Sequence, residues 1–244
     1  MTEGTVIVTG ASNGIGRAVA DRFHADGRTV VGIDRVDPGE STPYPIEQFD
    51  LSETKAVGEL CQRLERDHGP LSALVNVAGI YEAIDPAAFS LDAYRRMLAV
   101  DLDAPIILSV TAANFMAKRG FGRIVNVTSI RGDFAERGGL AYDTAKAGLN
   151  QATRTLALEF SGRGVLCNAV APGFVETAMS IVDGVLETTT DEFRRFYVDG
   201  GRIPTGRAAQ PHELGGLIAW LASSDNTYVT GQVIRIDGGL SASF

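Results

Sequence analysis

Two hydrophobic rhythms alternate along the chain. Short runs that are apolar throughout are followed by longer stretches in which apolar residues return every three or four positions. The first kind predicts strands buried on both faces, the second helices with one face on a core. Thr5–Thr9 (TVIVT) is the first predicted strand, and 28–33, 46–50, 71–77, 121–128, 165–170 and 232–236 are the others. The helical rhythm covers RAVADRFHADG (Ile15, Val19 and Phe23 in phase), 53–68 with Ser52 as its cap, 91–98, 101–118, 142–161 and 212–222. Pro105 falls in the first turn of its helix, where the missing N–H costs nothing. Residues 36–45 (VDPGESTPYP) hold three prolines and a glycine, so that crossover carries no regular helix. Residues 174–204 show no strand pattern and many polar and acidic side chains, which suggests a mobile lid over about 176–204 with one or two helices. Alternating strands and helices with all-apolar strands imply an α/β protein whose parallel sheet is covered on both faces.

Composition narrows the picture. At 244 residues, without an internal repeat, low-complexity tract or linker, the chain fits one α/β domain spanning 1–244. A net charge of −8 argues against nucleic acid or an anionic membrane surface as the main partner. The two cysteines, Cys61 and Cys167, sit inside apolar patterns, with no metal-ligand spacing; they read as buried thiols in a reducing compartment. No uninterrupted apolar run reaches the ~20 residues of a membrane span, and the strand pattern begins at Thr5, leaving no room for a signal peptide. The expectation is a soluble, cytoplasmic protein without a metal.

Candidate chemistry begins directly after the first strand. Gly10–Gly16 reads GASNGIG and leads into a helix. Strand, glycine turn and helix form the context in which backbone N–H groups and a helix N-terminus hold a pyrophosphate. Gly10 serves the tight turn, Gly14 the close approach and Gly16 the packing of helix on strand, with Ser12, Asn13 and Ile15 between them as contacts. The second strand ends at Asp34, where a carboxylate binds both adenosine ribose hydroxyls and repels a 2′-phosphate. Arg35 next door suits a 2′-phosphate instead; Asp34 weighs more, which favours NAD over NADP. Asp50 and Leu51 end the third strand at the adenine position. Asn76–Gly79 (NVAG) ends the fourth with small residues, and Asn76, Ala78 and Gly79 lie where a cofactor crosses the strand ends.

A second cluster lies in 129–146, SIRGDFAERGGLAYDTAK. Tyr142 and Lys146 are four apart, one turn on the same face of a helix. An ammonium beside a phenol favours the phenolate and makes tyrosine a general acid or base near neutral pH. Ser129, from another element, can hydrogen-bond the same substrate oxygen. By itself the spacing also suits two ordinary surface residues.

Taken together, TGASNGIG, Asp34, Asp50, NVAG, Ser129, YDTAK, PGFVET and TGQVIRIDGG resemble the short-chain dehydrogenase/reductase family from end to end, in order and spacing. The resemblance implies a Rossmann-type doubly wound, seven-stranded parallel sheet and a homotetramer. It implies that Ser129 positions the substrate oxygen, that Tyr142 is the acid/base, and that Lys146 binds the nicotinamide ribose and lowers the tyrosine pKa. Thr177, with Pro172, Gly173 and Val175 in the same motif, is implied to touch the cofactor. One position departs: where the family carries a catalytic asparagine, this chain has Asp101, which when ionised only accepts hydrogen bonds. LVNVAGI, GRIPTGRAAQPHEL and WLASSD are also similar to bacterial 2,3-dihydro-2,3-dihydroxybenzoate dehydrogenases.

The expected function is NAD-dependent interconversion of a secondary alcohol and a ketone. The substrate is expected to be small and cyclic, carboxylated if Arg131 anchors it by a two-pronged bond. Phe134, Met179 and Ile181 would pack on its ring. Arg131 would otherwise be exposed or pair with Asp133 and Glu136. The alternatives are an NADPH-dependent ketoreductase of the 3-oxoacyl reductase type and a catalytically silent dinucleotide sensor.

Overall fold

In the computed structural model, residues 4–37, 42–182 and 184–242 are described; positions 38–41 of the proline-bearing crossover and position 183 of the expected lid lie outside them. Seven strands form one parallel sheet: β1 (Thr5–Thr9), β2 (Val30–Asp34), β3 (Ile46–Gln48), β4 (Leu71–Asn76), β5 (Gly122–Val127), β6 (Val165–Pro172) and β9 (Val233–Ile236). Their order is β3-β2-β1-β4-β5-β6-β9, so the strand order reverses between β1 and β4. Crossovers leave that point in opposite directions and open a crevice at the carboxyl ends of the strands.

The helices cover both faces. α1 (Gly14–Ala25) packs on one face with α7 (Pro211–Leu221), α6 being a single turn elsewhere (Asp191–Phe193). Val19, Phe23, Leu214 and Ile218 meet Val6, Val8, Val75 and Val125 of the strands. On the other face α2 (Thr54–His68), α4 (Ala104–Arg119) and α5 (Leu140–Phe160) bury Leu60, Leu64, Leu108, Met116, Leu156 and Phe160 against Ile7, Leu74 and Ile124. Both cysteines are buried there, and loss of solvation pushes each thiol up to about 12.

The departures from the sequence reading are local. β2 starts at Val30; the Arg28 backbone N–H still donates to the Phe23 carbonyl at the end of α1, at 2.9 Å. Ser52 caps nothing: its N–H donates to Asp50 Oδ1 at 2.9 Å, and α2 starts at Thr54. The helix carrying Tyr142 begins earlier, at Leu140. Residues 174–204 do contain strands, a small antiparallel hairpin of β7 (Ile181–Val182) and β8 (Val185–Leu186), with Gly184 at a left-handed φ of 78°. Two-residue strands are too short to leave an alternating pattern.

α3 (Leu91–Leu98), a π-helical stretch over Ala99–Asp103 and α4 run on as one helix of 29 residues. By length and composition this helix is long and apolar enough to cross a membrane. Here its apolar side, with Leu108, Ala112 and Met116, is spent on the core. The π turn matters because one extra residue in a helix re-aims the side chains around it, often at functional sites. Asp101 lies in that turn.

Candidate active site

At the switch point the carboxyl ends of the strands enclose a cleft of about 540 Å³. Gly10, Asn13, Gly14, Ile15 and Gly16 line one wall, Asp34, Arg35, Asp50 and Leu51 the far end, and Ala78 and Gly79 the floor. Thr177, Met179 and Ile181 face them. The glycine turn is shaped as a cradle. Gly10 and Gly14 have φ of 70° and 54°, which other residues rarely adopt. A Cβ on Gly16 would collide with the Gly10 carbonyl. α1 starts here without a side-chain cap from Asn13, so its first N–H groups keep their capacity for an anion. A dinucleotide pyrophosphate fits that donor set.

Asp34 accepts from the Ser12 N–H at 3.0 Å with one oxygen and the Val36 N–H at 3.1 Å with the other. These bonds aim the carboxylate and tie the glycine turn to the end of β2. Ser12 itself faces away, its hydroxyl donating to the Val36 carbonyl at 2.7 Å. Asp50 is held below the usual carboxylate range by the Ser52 N–H, with Arg35 and Arg96 helping.

The second cluster lies further along the strand ends. Ser129 follows β5, and Tyr142 and Lys146 share one face of α5, all three buried. Ser129 Oγ accepts from the Arg131 N–H at 3.1 Å and lies close enough to Tyr142 to favour its phenolate. Lys146 Nζ lies 3.1 Å from Asp101 Oδ1, donates to the Val127 carbonyl at 3.3 Å, and stands 5.3 Å from the centre of the Tyr142 ring. The contact with Asp101 is an ion pair outside ideal hydrogen-bond alignment. The other Asp101 oxygen accepts the Ile80 N–H at 3.0 Å. Gly79 makes room for the pair, since a Cβ there would sit 2.6 Å from Asp101 Oδ1.

This arrangement corrects the expected tyrosine tuning. Burial pushes the Tyr142 hydroxyl above its ordinary value; Lys146 pulls it down and Asp101 pushes it up. The net direction is upward. Burial likewise raises Asp101 against the pull of Lys146. For Lys146 burial acts downward, yet Asp101 and Tyr142 together raise it, so the ammonium stays protonated.

Other residues are placed differently from expectation. The Asn76 side chain points into the core, bonding Asn126 Oδ1 at 2.8 Å and Ser109 Oγ at 3.0 Å, so it does not reach the cleft. Val175 is buried in the core, and Pro172 and Gly173 pack against the end of β9. Arg131 is paired at Nε and Nη1, while its buried Nη2 makes no hydrogen bond among the described residues. Its Nε donates to Asp143 at 2.7 Å, Nη1 pairs with Glu136 at 3.2 Å, and the guanidinium lies 4.9 and 5.2 Å from the ring centres of Tyr81 and Tyr142. Asp133 pairs with Arg235, which also covers the Phe134 ring at 5.1 Å. Met179 and Ile181 do line the cleft. The sequence reading missed Tyr81, which stands edge-on to Tyr142 at 5.5 Å, and Asp143, the anchor of Arg131. Nothing in the local sequence marks Tyr81; Asp143, inside YDTAK, was in plain view.

A family profile described as enoyl-(acyl carrier protein) reductase matches residues 10–241. The chain is 34% identical to a 3-oxoacyl-[acyl-carrier-protein] reductase of Thermotoga maritima, covering 98% of each chain. It is 33% identical to the 2,3-dihydro-2,3-dihydroxybenzoate dehydrogenase of Escherichia coli, covering 96% of this chain and 95% of that one. Among solved structures, 4-hydroxyisoleucine dehydrogenase complexed with NADH superposes with a TM-score of 0.90 at 26% identity, over 99% of this chain and 100% of the other. A Beutenbergia cavernae protein assigned as an NAD(P)-dependent gluconate 5-dehydrogenase, with bound NADP, gives 0.89 at 35% identity, over 98% and 97%.

Proposed function

The chain belongs to the short-chain dehydrogenase/reductase family, whose members are nicotinamide-dinucleotide oxidoreductases acting on CH–OH groups, and on that footing we propose that it is an NAD-dependent enzyme interconverting a small cyclic secondary alcohol and its ketone. The observation that carries the reading is the meeting of Ser129 and Tyr142 with Lys146 beside the cleft that the glycine turn and Asp34 line.

The bound dinucleotide supplies or accepts the hydride. Gly14, Ile15 and Gly16 hold its pyrophosphate, Asp34 its adenosine ribose, and Lys146 its nicotinamide ribose. Ser129 Oγ and Tyr142 Oη both bond the substrate oxygen. In ketone reduction Tyr142 gives that oxygen its proton; in alcohol oxidation the phenolate takes one. Residues 176–204 form the lid, with Met179 and Ile181 against the substrate ring. A carboxylated substrate would compete with Asp143 and Glu136 for Arg131, of which only Nη2 lacks a partner among the described residues.

NAD is preferred because the Asp34 carboxylate, fixed by two backbone N–H groups, stands where a 2′-phosphate would bring more negative charge. NADP is the second reading, supported by Arg35 lining the same end. Exposed apolar side chains on α4 and α5, Val110 and Leu158 among them, support a homotetramer. A cytoplasmic location agrees with two free, buried thiols. The test is reduced-nicotinamide absorbance with a panel of neutral and carboxylated cyclic alcohols, together with Kd for NADH and NADPH. Turnover with NAD and weaker NADPH binding is expected; equal or tighter NADPH binding would overturn the assignment to NAD.

A further inference from the structure

The Lys146 ammonium has two neighbours of opposite consequence. Asp101 lies 3.1 Å from it, in direct ion-pair contact, whereas the Tyr142 ring centre is 5.3 Å away. The Asp101 side chain is 0% and the Lys146 side chain 4% exposed, so water screens neither. A buried ion pair attracts its own members strongly and projects little net charge beyond itself. The pair is also structurally fixed. The π turn aims Asp101 inward, the Ile80 N–H holds its second oxygen, the Val127 carbonyl holds Lys146, and Gly79 leaves the space.

We propose that Asp101 is a positioning residue that neutralises Lys146 and thereby keeps the Tyr142 hydroxyl protonated across neutral pH, biasing this site towards proton donation to a ketone. The proposal rests on the assignment of Tyr142 as acid/base but reaches beyond it, to the direction in which the site works best. The other groups around Tyr142 act on it less than Asp101 does. Arg131 faces the ring at 5.2 Å and pulls the phenol down, the least of the causes, with Asp143 and Glu136 paired to its guanidinium. Tyr81 stands edge-on to the ring and Tyr94 packs nearby, and neither brings a cation to the phenol. Ser129 carries no charge and lowers the phenol less than Asp101 raises it. Burial raises Tyr142 in the same direction.

The sign follows from the charges. Removing the carboxylate leaves an uncompensated ammonium near the phenol, so the phenolate becomes easier to form. Ultraviolet titration of phenolate in the dinucleotide-free protein reads this directly, with Tyr142→Phe subtracted to isolate Tyr142. In the wild type the Tyr142 step is expected above the ordinary tyrosine value of ~10. In Asp101→Asn it moves down by about one pH unit or more. The alkaline rise of alcohol oxidation and the alkaline fall of ketone reduction move down by the same interval. Asp101→Ser serves as a second variant should the amide not fit against the Ile80 N–H. A wild-type Tyr142 step near neutrality overturns the proposal, as does a step that stays put in both Asp101 variants. Because the titration needs neither dinucleotide nor substrate, it stands apart from the functional assignment. Absence of dinucleotide binding or of any turnover would sink that assignment and leave the titration to judge Asp101 alone.

Discussion

The glycine turn at one end of the cleft and the 176–204 segment at the other differ in how far their shape is fixed before anything binds. The turn is stitched to its surroundings by backbone groups. Thr9 Oγ1 accepts the Val77 and Ala78 N–H groups at 2.9 and 3.0 Å, Asp34 accepts those of Ser12 and Val36, and Gly10 approaches Ala78 so closely that a Cβ would lie 3.1 Å from its Cα. The opposite wall is anchored at its base, where Phe174, Phe193 and Tyr197 pack with ring centroids 4.6 to 5.0 Å apart. Its tip, the β7–β8 hairpin, leaves Met179, Ile181 and Val185 exposed. Segments with few buried apolar contacts open at low cost in free energy. Under the proposed function, one end would hold the dinucleotide in a preformed mould, and the other would adapt to the substrate.

Substitutions can break or sharpen this contrast. The largest effect is expected between the two ends, at the chemistry. Tyr142→Phe keeps the ring and its packing but removes the proton, so kcat should fall ~10²- to 10⁴-fold while the Kd for NADH is unchanged. Retention of even a tenth of the wild-type kcat would show that Tyr142 is not the acid/base. Gly79→Ala drives a Cβ to 2.6 Å from Asp101 Oδ1. Overpacking of this kind should cost ~1–3 kcal/mol in denaturant unfolding, and wild-type stability in that variant would mean that the ion pair shifts freely.

At the rigid end, Asp34→Ala removes the charge facing a 2′-phosphate and two backbone acceptors. The ratio of NADPH to NADH Kd should fall by ~10-fold, as expected for a charged hydrogen bond of ~1.5–3 kcal/mol; an unchanged ratio would place cofactor choice elsewhere. At the adaptable end, Met179→Ala should alter KM for an apolar ring by a few-fold, given ~0.8 kcal/mol per buried CH₂. Its Tm should stay the same, because Met179 is 44% exposed. A Tm loss there comparable to a core substitution would erase the distinction between mould and lid.

The sheet, its two covered faces and the positions of the strands were legible in the chain because all-apolar strands alternate with helices of 3.6-residue period, both written in contiguous residues. The glycine turn was legible for a similar reason: strand, turn and helix are neighbours in sequence, and the steric demands on Gly10, Gly14 and Gly16 are local. Tyr142 and Lys146 could be paired from their spacing alone. What the spacing cannot carry is charge balance in three dimensions. Asp101 is 45 residues before Lys146 in the sequence, yet a π turn brings it to 3.1 Å. Burial, with Asp101 acting in the same direction, outweighs the pull of Lys146 and reverses the expected direction of the Tyr142 shift. Arg131 shows the same limit. Its place two residues after Ser129 suggested a free anchor for a ligand, and only the packing of α5 against that loop delivers Asp143 to occupy it. Asn76 repeats the lesson in the core, where β5 and α4 supply Asn126 and Ser109 as partners and hold its side chain out of the cleft. Periodicity and turn chemistry are properties of neighbouring residues and survive in the sequence; desolvation and ion pairing depend on which distant side chains close around a group, and the tertiary structure alone decides them.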